Sequence, residues 1–512
     1  MRKRIPAVVA AIALAEACVI QHPVIKPLDA PTLTQTAQTP VKAHLKDGST
    51  VIYMYGVVRR GDAIITPGMR YLVGSSSSIP VNSLPLDSIL GMELYNRNVN
   101  VPGSVAVSMV GTAAAILGTA VAAVAIFGSC PTVYADSAGT ELLQAETFSY
   151  SIAPLLEQRD VDLLRLTPTA DGRVVLRVRN EMLETHYINS LELIEIQHSR
   201  SEEVLPDQSG LPIAVGNARL AASFTDRAGR NVSSAVQSID GDLFSTVDAR
   251  LASVTSADLE DYIDITVSAP QEKDSIAVVL DMRNSLLNTV LLYDHILGAP
   301  GLKSLDYTGK DLENISNAVD MARWYAANMG MRVSVLDGDG YRRVNRFGDA
   351  GPIAFHRTAV VVPAVRAADG KVHVRLSFTA DNWRIDQISV AGAWHRPQSR
   401  AIAASRVVMP DPGQASASLS ALSHPDESYV ITSPGQSFTA EFNVGAANES
   451  ERTWFLASQG YYTEWVRGDW IKNASGKPFT PVNDVLVDAI RGWRAKQKAM
   501  ETSFYTQRIA AR

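Results

Sequence analysis

Cysteine is nearly absent from this chain: Cys18 and Cys130 are the only two in 512 residues. That excludes a disulfide framework and a zinc site built on several thiolates. Concentrated positive charge is missing as well. Lys and Arg number 47 against 53 Asp and Glu, for a net charge of −6, and no cationic cluster follows Arg2, Lys3 and Arg4. Phosphate-backbone binding needs a concentrated basic surface, so no nucleic-acid partner is expected. There is no G-x-S-x-G, P-loop, H-E-x-x-H or strand–helix G-x-G-x-x-G. The sequence thus offers no catalytic residue, metal ligand set or cofactor, and it reads as non-enzymatic. What is present is core material: 46% hydrophobic against 20% charged residues, in a length suited to three or four domains.

The chain begins "MRKRIPAVVAAIALAEACVIQHP". Three cations, a short apolar stretch and Ala15-Glu16-Ala17 form a secretory signal peptide over 1–17. It is too short to span a bilayer comfortably. "LAEAC" resembles a bacterial lipobox, although Leu14 stands four places before the cysteine rather than three. The resemblance implies that Cys18 is the lipidated first residue of a mature protein in the bacterial cell envelope, periplasmic or outer-membrane-associated. Residues 18–41, rich in Thr and Pro, read as a tether.

Residues 42–99 alternate in short β-branched and aromatic runs, punctuated by Asp47-Gly48 and Arg60-Gly61-Asp62. "LKDGSTV" through "IPVNSLPLDSILGMEL" resembles the small SH3-like barrels of bacterial envelope proteins. Residues 101–128 then carry no charge. The run is long enough to cross a bilayer as a helix, but Ala, Val and Gly supply little transfer energy. Gly103, Gly111 and Gly118 would line one smooth face for close packing. Arg97 before the run, and Asp136, Glu141 and Glu146 after it, favour a cytoplasmic N-side; the signal peptide places that side outside. A membrane-embedded helix and a helix packed in protein both remain open.

Strand signals dominate from Ser129: "RVVLRVR", "YIDITVSA", "DSIAVVLDM", "TAVVVPAV", "KVHVRLSFTA" and "WRIDQISVAGA". The expected fold is mainly β. A sandwich is expected over 129–255 and a jelly-roll-like domain over 256–400, with a helix inserted at 311–330. A C-terminal α+β element is expected over 401–512. Leu312, Ile315, Val319, Ala322, Tyr325 and Met329 follow helical spacing, closed by Gly330. Thr480 and Pro481 announce a last helix whose buried face is Leu486, Ile490 and Trp493. "GSCPTVYADSAGTELLQAETFSYSI", "RVRNEMLETHYINSLELIEIQH", "FTDRAGRNV", "LDMRNSLLNTVLLYD" and "VRLSFTADNWRIDQISVA" resemble a module set from uncharacterised bacterial exported proteins. The set also occurs C-terminally in some tetratricopeptide-repeat and FG-GAP proteins. The similarity covers Ser129 to Ala393, and its last part is similar to galactose-binding-like jelly rolls, which implies a carbohydrate-binding or scaffolding role.

Three small constellations invite chemistry and read more simply as structure. Glu184 and His186, two apart on a strand and near Glu181, make a hydrogen-bonded pair with no third metal ligand in sequence. "DGDG" at 337–340 lacks the closing acidic position of a calcium loop and makes a tight turn. Asp381, Arg384 and Asp386 around Trp383 suggest a buried ion pair. Trp454, Tyr461, Tyr462, Trp465 and Trp470 are a possible ligand platform, since such faces stack on sugar rings; the same rings would equally cover a core. The function expected is a non-catalytic envelope scaffold or interaction protein. A glycan-binding protein is the alternative, and a hydrolase stands third. The partners expected are the membrane, through the lipid and residues 101–128, and envelope proteins or glycans.

Overall fold

The computed structural model describes residues 21–28, 36–37, 41–99 and 130–506. Short interruptions fall at 46–48, 54, 72–77, 138–139, 182–183, 269–273, 305–306, 313, 427, 433–435, 447–450, 465–469, 471–474 and 478. The signal peptide, Cys18 and the apolar run 101–128 lie outside the described residues. Among the described residues no helix is long and apolar enough to cross a membrane. The fold is mainly β and built from antiparallel sheets, as the patterning predicts.

A six-stranded and a four-stranded sheet wrap the first core, of Val41, Val51, Tyr53, Ile64 and Met92. Part of the segment read as a tether belongs to this unit. Gln21–Leu28 pairs along its length with Ile89–Val99. It occupies the sheet edge, the position where Pro23 and Pro27 remove no interior ladder bond.

Two sandwiches follow. In the first, Thr140–Glu146, Thr132–Ser137, Arg173–Arg179, Ser437–Asn443 and Arg406–Val408 form one sheet. Gln158–Leu164, Glu451–Glu464, Glu184–His198 and Ser399–Ala403 form the facing one. Val133, Leu176 and Phe438 meet Leu193, Trp454 and Leu456 in a shared core. In the second, Ala222–Asp226, Glu260–Val267, Val372–Thr379, Met331–Asp337 and Gly340–Phe347 face His356–Pro363, Ser275–Asn284 and Trp383–Ala391. Period-two patterning is clear in Glu260–Val267, where Asp261, Ile263, Ile265 and Val267 are buried and the intervening residues are not.

The expected boundaries at 255/256 and 400/401 are not followed by the sheets. Strands from beyond residue 400 complete the first sandwich. Ala222–Asp226 pairs across residue 255 with Glu260–Val267 in the second. Composition marks where strands are, but their partners are chosen by packing of faces, which leaves no trace in local spacing.

A small sheet of Glu202–Pro206, Pro212–Gly216 and Trp394–His395 joins the two sandwiches. Val204 and Ala214 pack with Ile194, Ile196 and Phe455 of the first. Leu205, Ile213 and Val215 pack with Ala277, Val279 and Ala359 of the second. Burial on both faces explains why "VLP" and "PIAV" read as unbroken apolar runs rather than alternations.

Helix Ile315–Met329 starts where Asn314 accepts hydrogen bonds from the Ser316 and Asn317 N–H groups. Its buried residues are Ala318, Met321 and Met329. Ile315 and Val319, expected on that face, are exposed, while Leu312, Ala322, Tyr325 and Met329 pack as the spacing suggests. Helix Asn483–Thr506 buries Leu486, Ile490 and Trp493 as expected.

Candidate functional site

The aromatic cluster proposed as a ligand platform is core. Trp454, Tyr461, Tyr462 and Trp470 are buried, and Trp465 lies outside the described residues. Strand Glu451–Glu464 is central, paired with Gln158–Leu164 on one side and Glu184–His198 on the other, so its rings are covered. Tyr461 stacks on Tyr187 at 4.5 Å. Tyr462 serves a different purpose: its hydroxyl donates to the Ser149 carbonyl at 2.8 Å and its backbone N–H to that of Ser151 at 2.9 Å. The cluster therefore holds the turn after Glu146 in place.

The other constellations form the hydrogen-bonded pair, the turn and the ion pair expected of them. His186 Nε2 lies 2.6 Å from Glu184 Oε1, both side chains fully buried. Burial lowers this imidazole to about 3, so it stays neutral. Residues 337–340 form the turn between Met331–Asp337 and Gly340–Phe347. Arg384 Nη1 donates to Asp381 Oδ1 at 2.7 Å in the interior. Among the described residues, no three His, Cys, Asp or Glu side chains converge as metal ligands would.

The turn held by Tyr462 forms one wall of a cleft of about 530 Å³ between the two sandwiches. The site's residues come from distant parts of the chain. Strand Gln158–Leu164 supplies Asp160 and Asp162, which alternation places on one face. The segment after Gly340–Phe347 supplies Asp349 and His356, and the end of Thr140–Glu146 supplies Glu146.

Asp162 Oδ1 lies 3.2 Å from His356 Nδ1, with side chains 4% and 16% exposed. Burial lifts the Asp162 carboxyl well above its ordinary range, helped by the charges of Asp160 and Glu146, and lowers the imidazole. Both effects favour a neutral pair. Glu146 is more deeply fixed. Cys130 Sγ donates to its Oε1 at 2.8 Å, and Oε2 accepts from the N–H groups of Ile353 at 2.6 Å and Ala354 at 3.2 Å. Burial still raises this carboxyl to about 7, against those hydrogen bonds, and Asp349 adds repulsion. Asp349 accepts from Asn288 Nδ2 at 2.6 Å and from the Tyr325 hydroxyl at 3.0 Å. It too is raised by burial, to about 6.

Asp160 and Tyr150 complete the wall. Asp160 Oδ2 accepts from the Phe148 N–H and Oδ1 from the Val161 N–H, each at 2.9 Å, which leaves a second lone pair on each oxygen for a ligand hydroxyl, and Phe148 holds φ +41°, a conformation uncommon outside glycine. Tyr150, half-buried, has no hydrogen-bond partner among the described residues. Burial and the charges of Asp160, Asp349 and Asp162 push its phenol well up, so it remains an O–H donor. Phe355, Leu292 and Met321 give the same cleft apolar surface.

Sequence reasoning missed Tyr150, Asp160, Asp162, Asp349 and His356. The one local signal was "RDVDLL", whose alternation puts two carboxylates on a single face. Nothing local pairs that strand with residues 349 and 356.

No family model matches the chain, and no curated protein matches it. Among solved structures, the GH31 alpha-xylosidase from Xanthomonas citri is 9% identical, with a TM-score of 0.15 over 83% of this chain and 38% of that enzyme. The chain spans little more than a third of that enzyme's length, and a likeness this slight carries no argument.

Proposed function

We propose that this protein is exported to the bacterial cell envelope, anchored by a lipid on Cys18, and binds a glycan in the acidic cleft without cleaving it. The observation that carries the reading is the set of groups lining the cleft: the Asp160 carboxylate, the protonated and unpartnered Tyr150 phenol, and the Asp162–His356 pair, beside the apolar surface of Phe355 and Leu292. Sugars present hydroxyls that both donate and accept, beside apolar C–H faces. A wall mixing acceptors, a fixed donor and aromatic surface matches that chemistry.

Binding is favoured over hydrolysis by the engagement of two of the cleft's three raised carboxyls, the third, Asp162, being paired with His356. Glu146 and Asp349 each have both oxygens occupied by internal donors. A general acid must have an oxygen within reach of the leaving group. Glu146 instead ties residues 353 and 354 to the first sandwich, and Asp349 ties its loop to Asn288 and Tyr325, so both shape the cleft. The interaction role expected from the sequence thus takes the form of ligand capture.

A glycan array probed with the full chain, followed by titration of the strongest ligand, tests this reading. Tyr150→Phe keeps the ring and removes one hydroxyl, so binding weakens roughly 5–10-fold while thermal unfolding stays unchanged. Failure to retain any glycan, or equal affinity for Tyr150→Phe and wild type, defeats the proposal. Release of reducing ends from the bound glycan defeats the claim that no cleavage occurs.

A further inference from the structure

A second hollow of about 480 Å³ adjoins the acidic cleft and shares Gln158, Ala322, Ala326, Gly330 and Arg346 with it. Its character is opposite. Arg323, Arg332, Arg343 and Arg346 line it, and no carboxylate does. In a chain of net charge −6, four guanidinium groups around one hollow form a local field of the wrong sign for the whole molecule.

The strand register shows how they are gathered. Arg332 stands directly opposite Arg346, and Ser334 opposite Arg343. Residues directly opposite in an antiparallel pair share a face. Arg343 and Arg346 are three apart and would lie on opposite faces of a regular strand. A register shift between Val333 and Ser334 accommodates Val344 as the extra residue, and this bulge brings both arginines to the face of Arg332. Bulges of this kind re-aim side chains and are frequent beside binding sites. Like charges directly opposite one another destabilise a sheet, so the arrangement works against folding unless an anion offsets it.

Internal neutralisation is partial. Arg332 pairs with Glu260. Arg323 is 78% exposed and reaches Asp320 only at 4.0 Å. Neither Arg343 nor Arg346 forms an ion pair among the described residues. Guanidinium forks suit the two oxygens of a carboxylate, sulfate or phosphate.

We infer that these four arginines form an oxyanion subsite continuous with the cleft, and that the ligand is an acidic saccharide. Its sugar hydroxyls would meet Asp160 and Tyr150, and its carboxylate, sulfate or phosphate group would meet Arg343 and Arg346. The saccharide half of this inference rests on the function proposed above; the anion half rests on the arginines alone.

Calorimetric titration of the full chain separates the two. The probes are an oligogalacturonate, its carboxyl-reduced neutral counterpart and inorganic phosphate, each with wild type, Arg343→Gln/Arg346→Gln and Tyr150→Phe. The acidic oligosaccharide binds at least roughly ten-fold tighter than the neutral one. The double substitution removes that advantage, and Arg343→Gln alone, at a residue that lines only the basic hollow, lowers it while leaving neutral binding unchanged. Raising the salt from 50 to 300 mM erodes the same advantage, since exposed charges are screened. Equal binding of acidic and neutral forms overturns the subsite and leaves the glycan reading standing. So does an acidic preference that survives the double substitution. Phosphate binding lost in the double variant, with neither saccharide bound, keeps the anion site and overturns the glycan reading. Absence of binding by all three probes overturns both.

Discussion

Gly351 shows how tightly the cleft is specified at single positions. Its φ is +72°, and a Cβ there would stand 2.6 Å from the Glu146 carboxyl carbon. Gly351→Ala must therefore strain the backbone and displace a buried carboxyl that holds two N–H groups. The expected loss is about 3 kcal/mol, read from urea unfolding. The loss is smaller when Gly351→Ala is made in a Glu146→Ala background, because the atom it collides with is gone. Equal losses in both backgrounds would show that the contact is unimportant. At this scale the sequence was readable where partners are close along the chain. Asp381 with Arg384 and Glu184 with His186 are structural pairs, as their spacing suggests. The tryptophans and tyrosines at 454–470 were ambiguous, since stacking on sugar and filling a core ask for the same side chains; strand position resolved Trp454, Tyr461 and Tyr462 as core, and Trp470 is buried beside Tyr293.

Helix Asn483–Thr506 carries the most telling contact among the elements. Trp493 Nε1 donates to Asp381 Oδ2 at 2.5 Å, and Asp381 is already held by Arg384. The helix face of Leu486, Ile490 and Trp493 joins the first sandwich's core, while Asp381 precedes strand Trp383–Ala391 of the second. Trp493→Phe keeps the ring burial and loses this bond, costing about 2 kcal/mol because the acceptor is charged. Protease should then release the helix at lower urea than in wild type; an unchanged cleavage profile would mean that apolar burial alone docks it. The periodicity of this helix was legible because its three marker residues are large and apolar. In helix Ile315–Met329 the spacing marked Leu312, Ala322, Tyr325 and Met329 correctly as packed, but Ile315 and Val319 are exposed, and the small Ala318 was passed over. Arg343 and Arg346 in "RRVNR" were likewise passed over as a cluster, since regular alternation would put them on opposite faces and only the bulge brings them together.

Stability of the whole molecule should carry the mark of the buried acids. Glu146 titrates at about 7 in the folded chain against 4.5 ordinarily, so the folded state binds the extra proton between those values. Its contribution therefore declines as pH rises from 4.5 to 7 and is fully lost above. Asp349, raised from 3.8 to about 6, acts in the same direction. The neutral buried His186 acts oppositely below 6.5. Gln at position 146 mimics the protonated acid, so Glu146→Gln gains stability relative to wild type between pH 5 and pH 8, by a few kcal/mol as an order of magnitude. Urea unfolding at the two pH values reads this gap, and a gap independent of pH would mean Glu146 is not burdened by its burial.

The sequence by itself determined the β class, the approximate strand positions, the exclusion of a disulfide scaffold and the expectation of an exported chain. These follow from composition, alternation and terminal signals, which are local. Tertiary structure decided that residues beyond 400 complete the first sandwich, and that residues 146, 160, 162, 349 and 356 share one cleft. It also decided that four arginines face a common hollow. Each depends on which strand pairs with which and in what register. Pairing is selected by burial of whole faces, and a single extra residue such as Val344 reverses which side chains lie together.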